Sequence, residues 1–389
     1  MGASGAPGSA TRMAAALMED FADRTGLSSG GRQIRYLWTD AFAVCNYLTL
    51  FRRTREARYA ELAVHLVHSV HHVLGRHRED DPRGGWISGL GEVEGELHPT
   101  AGGLRIGKRL AERRPHDAYD ARLEWDRDGQ YYHYLVRWMH ALGRAAEVLG
   151  EARYLTWAVE LADAAFGGFV YAPTAGAPRH MRWKMSIDLG RPLVASEGAH
   201  DPLDGLVASC ALRAKLPPSS PGRPGLEDQI GALAGMCAGR SWATDDPLGA
   251  GGLLTDACWV DTLVREQGMD GGLRDMEARL WKDAAASLGA VGRGYPFRGP
   301  AGSRLAFREL GLAIGLSAVD ILLESVGPSV DDRTLEGARE VRRHLALAEA
   351  IVKTWLSDEA RAADSWTEHE DINAVMLATA LAPDEYVRL

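Results

Sequence analysis

The stretch from Tyr131 to Tyr154 reads YYHYLVRWMHALGRAAEVLGEARY, and it decides the fold. Tyr131, Tyr132, Tyr134, Leu135, Val136, Trp138, Met139, Ala141 and Leu142 leave almost no polar face. A helix that is apolar all round is expected to be buried on all sides. Gly150 alone links it to the next helix, which opens at Ala152-Arg153-Tyr154. The stretch therefore reads as a helical hairpin with a buried first arm.

The same rhythm extends outward in both directions. Apolar periodicity of the helical kind dominates from Thr11 onward, with no convincing strand alternation. It predicts twelve helices, near 11–25, 32–54, 57–78, 130–149, 151–172, 201–216, 225–238, 251–267, 271–290, 303–326, 334–356 and 367–383. The third contrasts with the fourth. Leu62, Val64, Leu66, Val67, Val70 and Val73 form one stripe, with Arg58, Glu61, His65, His68 and His72 opposite. That pattern predicts an outer helix.

The links alternate in length. Arg55-Glu56, Gly150, Pro217 to Pro224, Gly268 to Asp270 and Gly327 to Asp332 are short, whereas the stretches 79–129 and 173–200 are long. Six antiparallel pairs with their long loops at one end predict an all-α (α/α)6 toroid. Ring closure buries the ends that an open stack of hairpins would expose. An open solenoid is the alternative, and it rarely carries loops as long as 79–129. Residues 1–10 are expected to be a disordered tail, and 11–389 one barrel domain with 79–129 and 173–200 as active-face loops.

Composition narrows the function. The chain has 389 residues, is 46% hydrophobic and carries a net charge of -9. No apolar run reaches the ~18–20 residues of a membrane span. An acidic chain is a poor partner for a phosphate backbone, so neither nucleic acid nor membrane is expected. Cys45, Cys210, Cys237 and Cys258 sit in apolar helical patterns without a CxxC pair. Buried thiols in a reducing cytoplasm are the expectation. The oligomeric state is not legible.

If the even-numbered helices are inner, six segments converge at the long-loop end. They hold Arg35, Trp38 and Asp40; Trp125, Asp126, Asp128, Tyr132 and His133; His200, Asp201 and Asp204; Thr255 and Asp256; Arg304 and Glu309; and Trp366, Glu368, His369, Glu370 and Asp371. Each acid has a bland reading as a helix cap. Asp201 before Pro202 suits an N-cap, whereas Asp40 and Asp256 lie further into their helices. Together, carboxylates, aromatic faces and arginines suit a polyhydroxylated ligand, and paired carboxylates suit acid/base work at a glycosidic bond. Gly84-Gly85-Trp86 and the basic run Arg105, Lys108, Arg109, Arg113 and Arg114 lie in the first long loop. The run is expected to pair at the surface with Glu92, Glu94, Glu96 and Glu112. His140 reads as a core histidine, and His68 with His72 as a solvated face. His200, Asp201 and Asp204 with His369 to Asp371 offer nitrogen and oxygen donors, but no HExxH-type spacing, so no metal or other cofactor is expected.

Twelve helices with Arg35-Tyr36-Leu37-Trp38 opening an inner helix resemble the six-hairpin carbohydrate enzymes. These include glycoside hydrolases and N-acylglucosamine 2-epimerase-like isomerases. The Tyr131–Tyr154 hairpin resembles the epimerase group. That resemblance implies one histidine near the start of the fourth inner helix and another near the start of the sixth. His369 meets the second, but Leu254-Thr255-Asp256 leaves the first without a histidine. A glycoside hydrolase therefore ranks first, with Asp126, Asp128, Asp204, Glu368, His369 and Glu370 as catalytic candidates. Arg35, Trp38, Asp40, Trp86, Trp125, Tyr132, His133, His200, Arg304 and Trp366 would bind the small-molecule or oligosaccharide substrate. A sugar isomerase using His369 ranks second. A terpene-cyclase-like toroid using Asp245-Asp246 or Asp331-Asp332, or a non-enzymatic scaffold, ranks behind both.

Overall fold

A computed structural model describes residues 8–31, 33–174, 176–268, 272–326 and 334–389. Its principal helices are α1 (Ser9–Arg24), α2 (Leu37–Thr54), α3 (Ala57–Leu74), α6 (Tyr132–Leu149), α7 (Ala152–Phe169), α8 (Asp201–Lys215), α9 (Arg223–Cys237), α10 (Pro247–Glu266), α11 (Leu273–Gly294), α12 (Ala306–Val326), α13 (Thr334–Arg342), α14 (Leu345–Trp355) and α17 (Glu370–Leu381). Shorter helices α4 (Glu92–Leu97), α5 (Ala121–Asp126), α15 (Asp358–Arg361), α16 (Asp364–Thr367) and α18 (Asp384–Val387) decorate them. None of the described helices is long and apolar enough to cross a membrane.

Every helix expected from the sequence is present. Besides the short helices, which were not expected, these details differ. Ser9 and Ala10, expected in a disordered tail, already belong to α1. The eleventh helix is two, α13 and α14, broken at Arg343–His344. The helix expected from 32 begins at Leu37, because the Asp40 carboxylate takes the Tyr36 N–H and sets the first turn there. Four two-residue strands, missed in the sequence, form two antiparallel ribbons. β1 (Gln130–Tyr131) pairs with β4 (Lys184–Met185), and β2 (Val170–Tyr171) pairs with β3 (His180–Met181). Strands this short carry no readable alternation.

The described residues group into two compact units. The first comprises Ala22–Val44 and Ala60–Ala238. In it α6 packs on α7 and α8, α8 on α9, and α7 on α9. The first turn of α2 meets α6 through Tyr36 and Trp38 against Tyr134. Buried α6 ends at Gly150, whose φ of 74° is the left-handed conformation a helix C-terminus favours in glycine. The long loop 79–129 is sewn down by buried polar side chains. Gln130 accepts from Leu104 N–H and donates to the Gly102 and Ile187 carbonyls.

The second unit comprises the described parts of Met1–Phe21, Cys45–Tyr59 and Gly239–Leu389. Here α10 packs on α11 and α12, and α12 on α13, α14 and α17. The C-terminal half of α2 joins α17 through Asn46, which donates to the Val375 carbonyl at 3.0 Å and accepts from the Thr379 hydroxyl at 2.9 Å. The four cysteines are buried thiols.

Candidate active site

The ribbon β1–β4 builds the site in the first unit. Pairing Tyr131 with Lys184 sets Trp183 beside Tyr131 and His133 at the start of α6. The His133 ring stacks on Tyr131 at a centroid distance of 5.4 Å and meets Trp38 edge-on at 6.0 Å. Trp125 stands edge-on to Trp183 at 5.0 Å. Tyr36 and Tyr134 join the nest through hydroxyls 2.7 Å apart. Such ring faces and edges suit the C–H surfaces of a sugar.

Two carboxylates of the first turn of α8 share this nest. Asp201 and Asp204 lie three residues apart, hence on one helix face, and both are buried. Asp204 holds an ion pair with Arg137 of α6, Nη2 to Oδ1 at 3.3 Å. Asp201 does not make the cap expected of it. His200 occupies the N-cap position, and among the described residues no side chain caps the helix and Asp201 Oδ2 has no hydrogen-bond partner. Burial first, and then the Asp204 charge, push the Asp201 carboxyl well above the ordinary range. Asp201 Oδ1 lies 3.6 Å from His133 Nδ1. Burial lowers His133 to about 4, so its ring is neutral near pH 7.

The arrangement thus offers an acid whose carboxyl is pushed up by burial, an ion-paired carboxylate and a neutral imidazole beside aromatic faces. Environments that drive neighbouring titratable groups apart mark the acid and base assignments of a site. Trp38, His133 and Asp204 are the expected site residues it unites, and Trp125 stands at its edge. The sequence reading missed Asp201, Arg137, Tyr131, Tyr134 and Trp183. Asp201 was legible but read as a cap, and Trp183 depends on a ribbon too short to see.

Other expected site residues have structural surroundings. Asp128 is fully buried and saturated. It accepts from Arg105 at 2.6 Å and from the backbone N–H groups of Gly107, Lys108 and Gly129. Arg35 is buried on Asp40 and on the Thr25 carbonyl, and Asp40 also serves the Tyr36 N–H, so this acid does act as a helix-start ligand. Tyr132 is buried against Phe169, and Trp366 is buried in a stack with Trp355. Arg304 grips Glu309 with two hydrogen bonds, of 2.7 and 2.5 Å. Trp86 is buried under the Arg76 guanidinium. The basic run finds its partners inside the loop instead, since Arg105 takes Asp128 and Arg113 takes Glu124, while Glu92 and Glu112, expected to pair with the run, pair with Arg76 and Arg83.

Asp126 is exposed at the end of α5, and His200 is half-buried. In the second unit Glu368, His369 and Glu370 are exposed just before and at the start of α17, with the His369 ring 5.8 Å from Phe307. Asp246 caps α10 through the Gly249 N–H and pairs with Arg308, which accounts for it without a cyclase motif. Asp331-Asp332 lies outside the described residues.

No family model and no curated protein matches the chain. Solved structures do. The GH76A α-1,6-mannanase of Salegentibacter sp. HEL1_6 is similar at 12% identity and a TM-score of 0.54, over 96% of this chain and 99% of that one. A GH76 α-mannanase of Bacteroides thetaiotaomicron matches at 8% identity and 0.54, over 96% of each chain. A D-mannose isomerase matches at 13% identity and 0.51, over 96% of this chain and 99% of that one. The likeness shows the fold: the chain has the (α/α)6 architecture of the six-hairpin enzymes, as its hairpin rhythm predicts.

Proposed function

We propose that the chain is a carbohydrate-active enzyme that cleaves a glycosidic bond, with Asp201 as general acid and Asp204 as its partner carboxylate. One observation carries this reading: a buried Asp201, its Oδ2 without a partner among the described residues and its carboxyl pushed up by burial, next to an ion-paired Asp204. A carboxyl of raised pKa can give its proton to a leaving glycosidic oxygen, while a charged neighbour steadies the positive charge that develops on the ring. Arg137 fixes Asp204, and Trp38, Tyr131 and Trp183 offer the sugar platform. The fold likeness to mannanases makes α-1,6-linked mannan the first substrate to try, and an inactive variant of one of them holds α-1,6-mannotriose. Buried thiols support a cytoplasmic setting. The ligand class is carbohydrate, not nucleic acid or a membrane.

A second reading rests on His133. A neutral imidazole 3.6 Å from a carboxyl of raised pKa can take the proton beside a sugar carbonyl and return it. That reaction is isomerisation or epimerisation, and His133 supports it better than exposed His369. One experiment separates the two. The protein is incubated in heavy water with α-1,6-mannooligosaccharides and, in parallel, with free mannose. New reducing ends without carbon-bound deuterium support hydrolysis. Deuterium entering free mannose supports isomerisation. Neither product at any pH, or full turnover by Asp201→Asn, overturns the assignment of this site. Glu368→Gln, His369→Ala and Glu370→Gln belong in the same panel.

A further inference from the structure

Away from the α8 carboxylates, α3 carries four histidines whose side chains border one cleft. His65, His68, His71 and His72 line it with Trp86 and Trp157, around a volume of about 390 Å³. That is within the range of small-molecule sites. All of its lining residues belong to the first unit. His65, His68 and His72 are exposed at the rim, while His71 is buried in the wall.

The state of His71 follows from its neighbours. Trp138 Nε1–H can only donate, and it points at His71 Nε2 over 3.0 Å, so Nε2 is the acceptor. Burial keeps the ring neutral, with a value lowered to about 3. The single imidazole proton therefore sits on Nδ1. That buried N–H has no hydrogen-bond partner among the described residues. An unsatisfied buried donor costs free energy, and a ligand acceptor would remove that cost. Gln33, also in the lining, accepts from the Ser69 hydroxyl through Oε1, so its amide N–H₂ is not used in that bond and counts as a second donor. Against these donors the cleft has one carboxylate, Glu96, exposed at the rim. Trp86, Trp157 and Pro99 supply an apolar floor.

We propose that this cleft binds a small carboxylate with a flat apolar body, its oxygen accepting from His71 Nδ1–H. The glycosidase reading uses none of these residues, so the site stands or falls independently of it. Benzoate is the probe. Titrating it into full-length protein labelled with nitrogen-15 histidine should move the His71 Nδ1 resonance saturably and leave its tautomer unchanged. His71→Phe should weaken binding about tenfold, the loss of one hydrogen bond to a charged group. Because His71→Phe can disturb packing, Gln33→Ala serves as a second variant and should weaken binding several-fold with an unchanged melting temperature. Benzamide, which lacks the charge, should bind at least several-fold more weakly. Benzoate that leaves His71 unmoved at millimolar concentration, or binds equally to wild type and both variants, overturns the proposal. So does a water molecule found as the sole occupant of the Nδ1–H.

Discussion

His133 Nδ1 and Asp201 Oδ1 face each other at 3.6 Å, one ring lowered to about 4 and one carboxyl raised, both by burial. The ring is uncharged near neutral pH, and the carboxyl is pushed in the same direction, towards its uncharged form. This pairing, and not a conventional ion pair, is what sets the first turns of α6 and α8 apart from an ordinary helix start.

Asp201→Asn tests it in two directions at once. A general acid contributes ~10²–10⁴ in rate, so turnover should fall by at least about a hundredfold. Stability should move the other way. The folded protein holds the Asp201 proton above the pH at which the unfolded chain releases it, so this group's contribution is full below an ordinary value of 3.8 and lost as pH rises towards the raised folded one. At pH 7 the carboxyl is a cost that asparagine removes. Thermal melts at pH 7 should therefore show an unchanged or higher melting temperature in the inactive variant. A lower one argues for a structural role.

Acid should unfold the protein through its histidines. His133 and His71 are lowered from 6.5 to about 4 and about 3. A depressed group contributes stability that is complete above its unfolded value and is lost as pH falls towards the folded one. The histidines' share of stability should decline from about pH 6.5 towards pH 3, by a few kcal/mol, offset in part by the share that Asp201 regains as it protonates. Denaturant melts across that window read it. Replacing buried His71 with Gln, which cannot titrate, should flatten the slope whatever it does to stability at pH 7.

Asp128→Asn should damage folding, not chemistry. Its carboxylate neutralises buried Arg105 and holds three loop N–H groups. Removing one partner of a buried pair costs about 3–5 kcal/mol. A chemical denaturation midpoint well below wild type is expected, with the turnover of whatever remains folded within a few-fold of normal.

The fold was legible because helix burial has a period that survives in sequence. Tyr131 to Leu142 read as buried all round, and all but three of those residues are. The site was legible only by type. Asp204, His133 and Trp38 carry the right chemistry at the right helix starts, but so did Asp128, Arg304 and Trp366, and nothing local distinguishes them. What separates them is who else arrives: Arg105 consumes Asp128, Glu309 consumes Arg304, and Trp355 covers Trp366. Arg105 comes from a loop and Trp355 from helix α14, where no periodicity announces them, whereas Glu309 stands five residues from Arg304.

The two tryptophans Trp183 and Trp366 make that distinction measurable. Trp183 is half-buried beside His133, whereas Trp366 is buried on Trp355. Trp183→Ala should raise KM several-fold with little change in melting temperature. Trp366→Ala should cost about 3–5 kcal/mol and leave KM of the folded fraction alone. Steady-state kinetics on both, with a melt of each, decides which belongs to the sugar platform.

The crossing of α10 and α12 offers the sharpest stability test. At Gly251 an added Cβ would stand 2.1 Å from the Gly311 carbonyl oxygen, and at Gly315 it would stand 2.3 Å from that of Gly251. Both obstacles are backbone, so no rotamer change relieves them, and the helices would have to separate along their shared length. Gly251→Ala should therefore lose about 3 kcal/mol or more, the upper range of overpacking. Gly231 in α9 is the control, since its Cβ would meet nothing within 4 Å. There alanine should gain roughly 0.5–1 kcal/mol by helix propensity alone. Denaturant midpoints that move in opposite directions support the close crossing, and a neutral Gly251→Ala contradicts it.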